Sequence, residues 1–255
     1  MTTLNQLIEA RRMAGRAIEI LGLEADLVGV RLLDSDAEYP PDAKRLEQHR
    51  YCQAIMKARR GEHVTLDAEG IACPAAAAAF GFRPLPEGLR NGKGLVGFGI
   101  VIEEAAGRRM FEAMPTLQPG SVQLLHLFPL SQATHTPDVI VVEDEVEKLM
   151  WFNLAYLNAT GGKRLRGSTA VLQATCVDST IIPFVENRLN FGYGCYGCRE
   201  ATDLAQTETV IGFPAAMLPA IVSCLEYLGQ KAIPASRSKR ALAALSKRSG
   251  EHSSN

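Results

Sequence analysis

Short β-branched runs alternate along this chain with longer segments of helical periodicity, and that alternation restricts it to an α/β architecture. Residues 4–22 carry Leu4, Leu7, Ile8, Met13, Ala14, Ala17, Ile18 and Leu21 at helical spacing, with Gly22 as a stop signal. Residues 28–33 read as a strand, and residues 42–60 as a second helix carrying Tyr51, Cys52, Ile55 and Met56. Its basic last turn suits the helix dipole, and Gly61 ends it. A strand over 63–66 follows, then a helix opened by Cys73-Pro74, a Gly- and Pro-rich loop over 81–97, and a helix from Gly94 to Met114. Strands are expected over 122–128, 139–142, 169–174 and 210–213, an apolar helix over 146–159, and another from Pro214 through 229.

The expected fold is therefore α/β: a single compact domain with a mixed sheet over residues 1–235, then a basic and polar flexible tail over 236–255. Each half of the domain runs strand, acidic turn, helix, glycine, strand, cysteine, apolar segment. This order suggests an internal pseudo-duplication over about 15–115 and 120–230. It would put Cys73 and Cys176 at equivalent corners.

With 255 residues, 47% apolar content and a net charge of −1, the chain can bury a sizeable core and gives no reason to expect a polyanionic partner. No apolar run approaches the roughly 20 residues of a membrane span. The N-terminal Met1-Thr2-Thr3-Leu4-Asn5-Gln6 has no secretory pattern. The expected compartment is the cytoplasm, where thiols stay reduced and the six cysteines are ligands, redox groups or core residues. Cys224, inside Ile221-Val222-Ser223-Cys224-Leu225, reads as core.

Chemistry concentrates in Gly192-Tyr193-Gly194-Cys195-Tyr196-Gly197-Cys198-Arg199. The two sulfurs of a C-x-x-C converge on one centre, and glycines such as Gly194 and Gly197 let the backbone approach a bound group. Further sulfurs are available at Cys52, Cys73 and Cys176. Cys73 is placed at a helix N-cap, where the dipole lowers a thiol's pKa. Arg199, Tyr196 and Tyr193 are the candidate catalytic side chains: a guanidinium for an anionic group and two hydroxyl donors. The leading expectation is an iron–sulfur protein, with Cys73, Cys195 and Cys198 as ligands and Cys52 or Cys176 completing a four-iron cluster. It would be an oxidoreductase or a cluster-dependent lyase, with a small-molecule substrate or an electron-transfer partner. Structural zinc is the alternative, weakened because only one close cysteine pair exists. A third reading is a metal-free binding module with a redox dithiol. Against a thioredoxin-like dithiol, whose C-x-x-C opens a helix within an early βαβ unit, the C-x-x-C here is late and embedded in glycine.

Other chemistries lack their signatures. There is no G-x-S-x-G, no H-E-x-x-H and no nucleic-acid motif, and Gly161-Gly162-Lys163 follows a helix, so it is not a P-loop. Five scattered histidines show no metal spacing. Asp178 and Glu186 read as caps.

The segments Tyr51-Cys52-Gln53-Ala54-Ile55-Met56-Lys57-Ala58-Arg59-Arg60-Gly61-Glu62, Leu66-Asp67-Ala68-Glu69, Ala72-Cys73-Pro74 and Gly194-Cys195-Tyr196-Gly197-Cys198-Arg199 together resemble the prokaryotic family of unknown function numbered 169. The resemblance covers most of residues 15–230. It implies a protein without an assigned activity, for which an iron–sulfur role is an expectation.

Overall fold

The computed structural model describes residues 3–34 and 39–251. Seven strands form one sheet: β1 (Val28–Leu33), β2 (Lys44–Arg45), β3 (Val64–Asp67), β4 (Leu124–Pro129), β5 (Val139–Glu145), β6 (Asn190–Gly192) and β7 (Glu208–Pro214). Their spatial order is β2-β3-β4-β1-β5-β7-β6, with β2–β3 parallel and the other pairs antiparallel. Helices cover both faces, so the fold is α/β.

One face carries α1 (Thr3–Leu21), α7 (Val146–Ala159), α10 (Leu218–Gln230) and α11 (Ala232–Arg237), whose apolar sides meet Phe128, Ile140, Val142, Ile211 and Phe213. The other carries α2 (Tyr51–Ala58), α3 (Pro74–Ala79) and a π-helical segment, Ala174–Ile181, which meet Val28, Val30, Leu125, Leu127, Val139 and Val141. The segment continues into α8 (Ile182–Glu186), and α9 (Tyr196–Ala201) adjoins it on the same face. Beside α3 lie α4 (Glu87–Arg90), α5 (Lys93–Gly97) and α6 (Glu104–Glu112), with a small core around Leu95 and Phe111. The chain continues as α12 (Arg240–Glu251), whose Leu242 and Leu245 are exposed.

Several expected elements differ, among them the loop over 81–97, which carries α4 and α5, and the tail over 236–255, which carries α12. The helix over 42–60 begins only at Tyr51, because residues 44–46 are captured by the sheet. Lys44 N–H donates to His63 O at 2.8 Å and Leu46 N–H to Thr65 O at 2.9 Å, and Gln48 takes a left-handed turn at φ +53°. The strand over 169–174 does not form. Val171 and Gln173 have φ of +58° and +55°, which breaks extended pairing and starts the π segment. The helix from Gly94 to Met114 is two pieces, α5 and α6, separated around Gly99 at φ +69°. The acidic turn at 34–36 lies partly outside the described residues.

From the central pair β1/β5 outward, three strands of each half follow the same order, apart from the edge strand β2. The first strand is central (β1, β5), the second lies outside (β3, β6), and the third sits between them (β4, β7). On this plan Cys73, at the N-cap of the helix after β3, corresponds to Cys195, at the N-cap of the helix after β6. Cys52 in α2 corresponds to Cys176 in the π segment, each lying between the first and second strands of its half. The Cys73–Cys176 equivalence read from the sequence is corrected accordingly. The segment lies flat on the sheet at Gly212, where a Cβ would come within 1.8 Å of Ser179 O, so only glycine fits.

Candidate functional site: a cavity lined by five thiols

Cys52, Cys73, Cys176, Cys195 and Cys198 all line one cavity of about 300 Å³. Cys52 stands in the first turn of α2. Cys73 opens the alanine helix α3, with Pro74 at its first position. Cys176 enters through the π segment, and Cys195 and Cys198 bracket the start of α9. Cys224 is apart, on α10 in the opposite core, as its apolar pattern implied.

The C-x-x-C is tightly set. Gly194 turns the chain at φ +77°, where a side chain would be strained and would meet Leu204. Cys195 then caps α9, its sulfur accepting from the Cys198 N–H at 3.2 Å. The Cys195 and Cys198 sulfurs are 3.0 Å apart, and Thr175 Oγ1 lies 3.3 Å from Cys198 Sγ. The Ala174 N–H at the start of the π segment also serves the Cys195 thiol. The motif therefore opens a helix, but one late in the chain and between the antiparallel strands β6 and β7 rather than in an early βαβ unit.

Charge on these sulfurs is disfavoured. The hydrogen bond from Cys198, then burial, hold the Cys195 thiol far above its ordinary range. For Cys198 the bond with Cys195 pulls down, but a bond with Cys52 together with burial pushes the thiol up to about 12. Burial raises Cys176 strongly. It raises Cys73 as well, despite the N–H groups of Ala76 and Ala75 and the nearby Arg50. The dipole-lowered thiol expected at Cys73 is thus overturned: desolvation exceeds the helix-end effect on a six-residue helix.

Arg199 donates to the carbonyls of Tyr193, Ala205 and Glu208, so its guanidinium braces the loop from behind. Tyr196 lies at the cavity wall, and both Tyr193 and Tyr196 are more than half exposed. The cation facing the cavity is Arg50, which the motif reading missed. It donates to Gly197 O at 3.0 Å and Glu200 Oε2 at 2.8 Å, tying α2 to α9. Its position just before Tyr51-Cys52, at the N-cap of α2, was the available signal. Leu95, Phe98, Ile100, Phe111 and Leu172 make the opposite wall apolar. Among the described residues, no three thiol, imidazole or carboxylate groups already stand at the spacing of one bound metal ion.

Comparison with known proteins gives a family and no assigned chemistry. A family model described as "uncharacterised ArCR" matches residues 18–223. This chain belongs to the DUF169 family. The DUF169 match takes in all five cavity cysteines. An uncharacterised protein of Methanocaldococcus jannaschii is 29% identical over 227 residues, covering 87% of this chain and 96% of that relative. No solved structure matches the DUF169 chain. Among its described residues no helix is long and apolar enough to cross a membrane.

Proposed function

We propose that this chain is a cysteine-ligated iron–sulfur protein, an oxidoreductase or lyase acting on a small molecule. The convergence of five thiols on one cavity carries the reading. Cys195, Cys198 and Cys73 are the ligands in it, with Cys52 or Cys176 as the fourth. The donor set fits, because thiolates are soft ligands and no histidine is among the described residues that line the cavity. Burial at Cys73 and Cys176, and thiol hydrogen bonds together with burial at Cys195 and Cys198, hold these four protonated, so binding a cation would release their protons and reverse that penalty. N–H groups aimed at Cys195 favour its thiolate and would tune a reduction potential. A bound cluster would supply one-electron chemistry or, with one iron open, a Lewis-acid position. Arg50 would hold an anionic group at the rim, with the remainder of the substrate against Leu95 and Phe111.

The short Cys195–Cys198 contact at a helix N-cap favours a second reading, a redox dithiol. Anaerobic purification with iron, zinc and sulfide analysis separates them. The cluster reading expects brown protein with stoichiometric iron and acid-labile sulfide, lost in Cys195→Ser and kept in Cys224→Ser. Colourless protein holding one zinc would replace the cluster with a structural ion. Metal-free protein with a reversible Cys195–Cys198 disulfide would establish the dithiol.

A further inference from the structure

The fold assembles three of the five histidines, which show no metal spacing along the chain. His126, in β4, pairs across the sheet with Thr65 of β3 and Arg31 of β1. Alternation along the strand sets it against Leu125 and Leu127, so it lies on the face opposite the thiol cavity. His63 lies two residues before Thr65 and so shares its side. His135 follows the turn Leu130–Gln132, which Asp26 pins by accepting from the Ser131 backbone N–H at 3.2 Å and from its hydroxyl.

The His126 ring centre is 5.8 Å from that of His63 and 5.4 Å from that of His135. Imidazoles bound at about 2.0–2.1 Å to one tetrahedral ion have ring centres roughly 5 Å apart. His126 is 1% exposed, and among the described residues neither ring nitrogen has a hydrogen-bond partner. A buried imidazole with both nitrogens unmatched calls for a ligand. His63 and His135 are half-buried above it, which leaves an ion a path inward.

We propose that His63, His126 and His135 form a second metal site, which takes a divalent transition-metal ion of the zinc type. Three imidazoles leave one position for solvent or a small molecule. His63 and His135 swing inward to close on the ion, since the three do not stand at metal spacing beforehand. Burial, His135, His63 and Arg31 push the His126 imidazole down to about 3, so it is neutral, the ligating form, at physiological pH. Burial, His135 and Arg11 lower His63 likewise, against Asp42, whose carboxylate offsets part of the positive charge nearby. Phe128 packs on His126 with ring centres 4.7 Å apart and fixes its plane.

The test is cobalt titration of the full chain carrying Cys195→Ser and Cys198→Ser, which makes it independent of the thiol reading. One equivalent of cobalt should bind without thiolate charge-transfer absorption. His63→Ala and His135→Ala should each weaken it by at least the 10–100-fold typical of losing even an outer-shell partner, about tenfold or more. His126→Phe, which fills the same space, should abolish binding with the circular dichroism spectrum unchanged. No binding to the parent, binding indifferent to both alanine variants, or charge-transfer absorption assigning the ion to the remaining thiols would each overturn the proposal.

Discussion

On the face covered by α1, α7 and α10, the buried side chains are almost all aliphatic or aromatic and the helices are regular. On the other face the sheet meets five thiols, a π-helical segment and left-handed residues at Val171 and Gln173. It also buries Glu143, which burial pushes up to about 7 even with Arg59 beside it, and Asp178, likewise raised to about 7. A face that only needs to hold the fold follows propensity and periodicity, whereas one that carries chemistry breaks local rules and relies on packing to hold them broken. The histidine trio extends the contrast to the outer strands of the regular face, where β3 and β4 replace apolar pairs with Thr65 and His126.

If that contrast is right, truncating the regular face should cost stability and leave the thiol chemistry intact. Phe152 of α7 is fully buried, with its ring centre 6.1 Å from that of Phe213. Phe152→Ala should lower unfolding free energy by about 3–5 kcal/mol, measured by urea titration. The fraction still folded should keep the metal content and thiol reactivity of the parent. Loss of that content in folded protein would show the two faces are coupled through the sheet.

The same division explains what could be read from the chain beforehand. Both β1 and α7 lie where their apolar runs placed them: Val28, Val30 and Leu33 are buried in β1, and Leu149, Trp151, Phe152 and Ala155 in α7, whose Val146 and Met150 are exposed. The cysteines were legible as a set, since soft ligands beside glycines are rare outside sites. Their geometry was not legible. Residues 44–46 favour helix locally and were taken by an edge pairing with β3. The π segment is held by contacts remote in sequence, among them Tyr51 Oη–Thr180 Oγ1 at 2.8 Å and Asn190 Nδ2 donating to Asp178 O at 2.8 Å. The histidines stand at positions 63, 126 and 135; the β3–β4 pairing brings His63 to His126, and the turn after β4 brings His135 back to them.

A smaller effect should appear in pH dependence. Asp178 sits in the π segment, and its Oδ2 accepts from Thr169 Oγ1 at 2.6 Å. Burial raises its carboxyl from an ordinary 3.8 to about 7. Between those values the folded chain holds a proton the unfolded chain has released, so the stability that Asp178 contributes is largest below its ordinary value and falls as pH rises toward 7. Asp178→Asn keeps an acceptor for Thr169 and cannot ionise. The stability of Asp178→Asn relative to the parent should therefore grow between pH 4 and 7 and level off above. Glu143 titrates in the same direction in both proteins and cancels in the difference. A difference independent of pH would mean that Asp178 is solvated in the folded state, and the buried-acid character of this face would be lost with it.

The smallest expected effect lies beyond both faces. Residues 241–246 of α12 are exposed, with Leu242 and Leu245 each 61% accessible, so this part of the helix adds little apolar burial to the core. Among the described residues, Ile233 of α11, at 2% exposure, is the last buried side chain on the α10 side of the sheet. Deleting residues 240–255 should accordingly shift the melting temperature by no more than about 2 °C in a scan of dilute protein, because a stability change within about 0.5 kcal/mol moves a chain of this size that little. A fall of many degrees that did not vary with protein concentration would place α12 in the fold itself. A fall that deepened with increasing parent concentration would instead assign Leu242 and Leu245 to contact with another copy of the chain, since only an association contributes stability that scales with concentration.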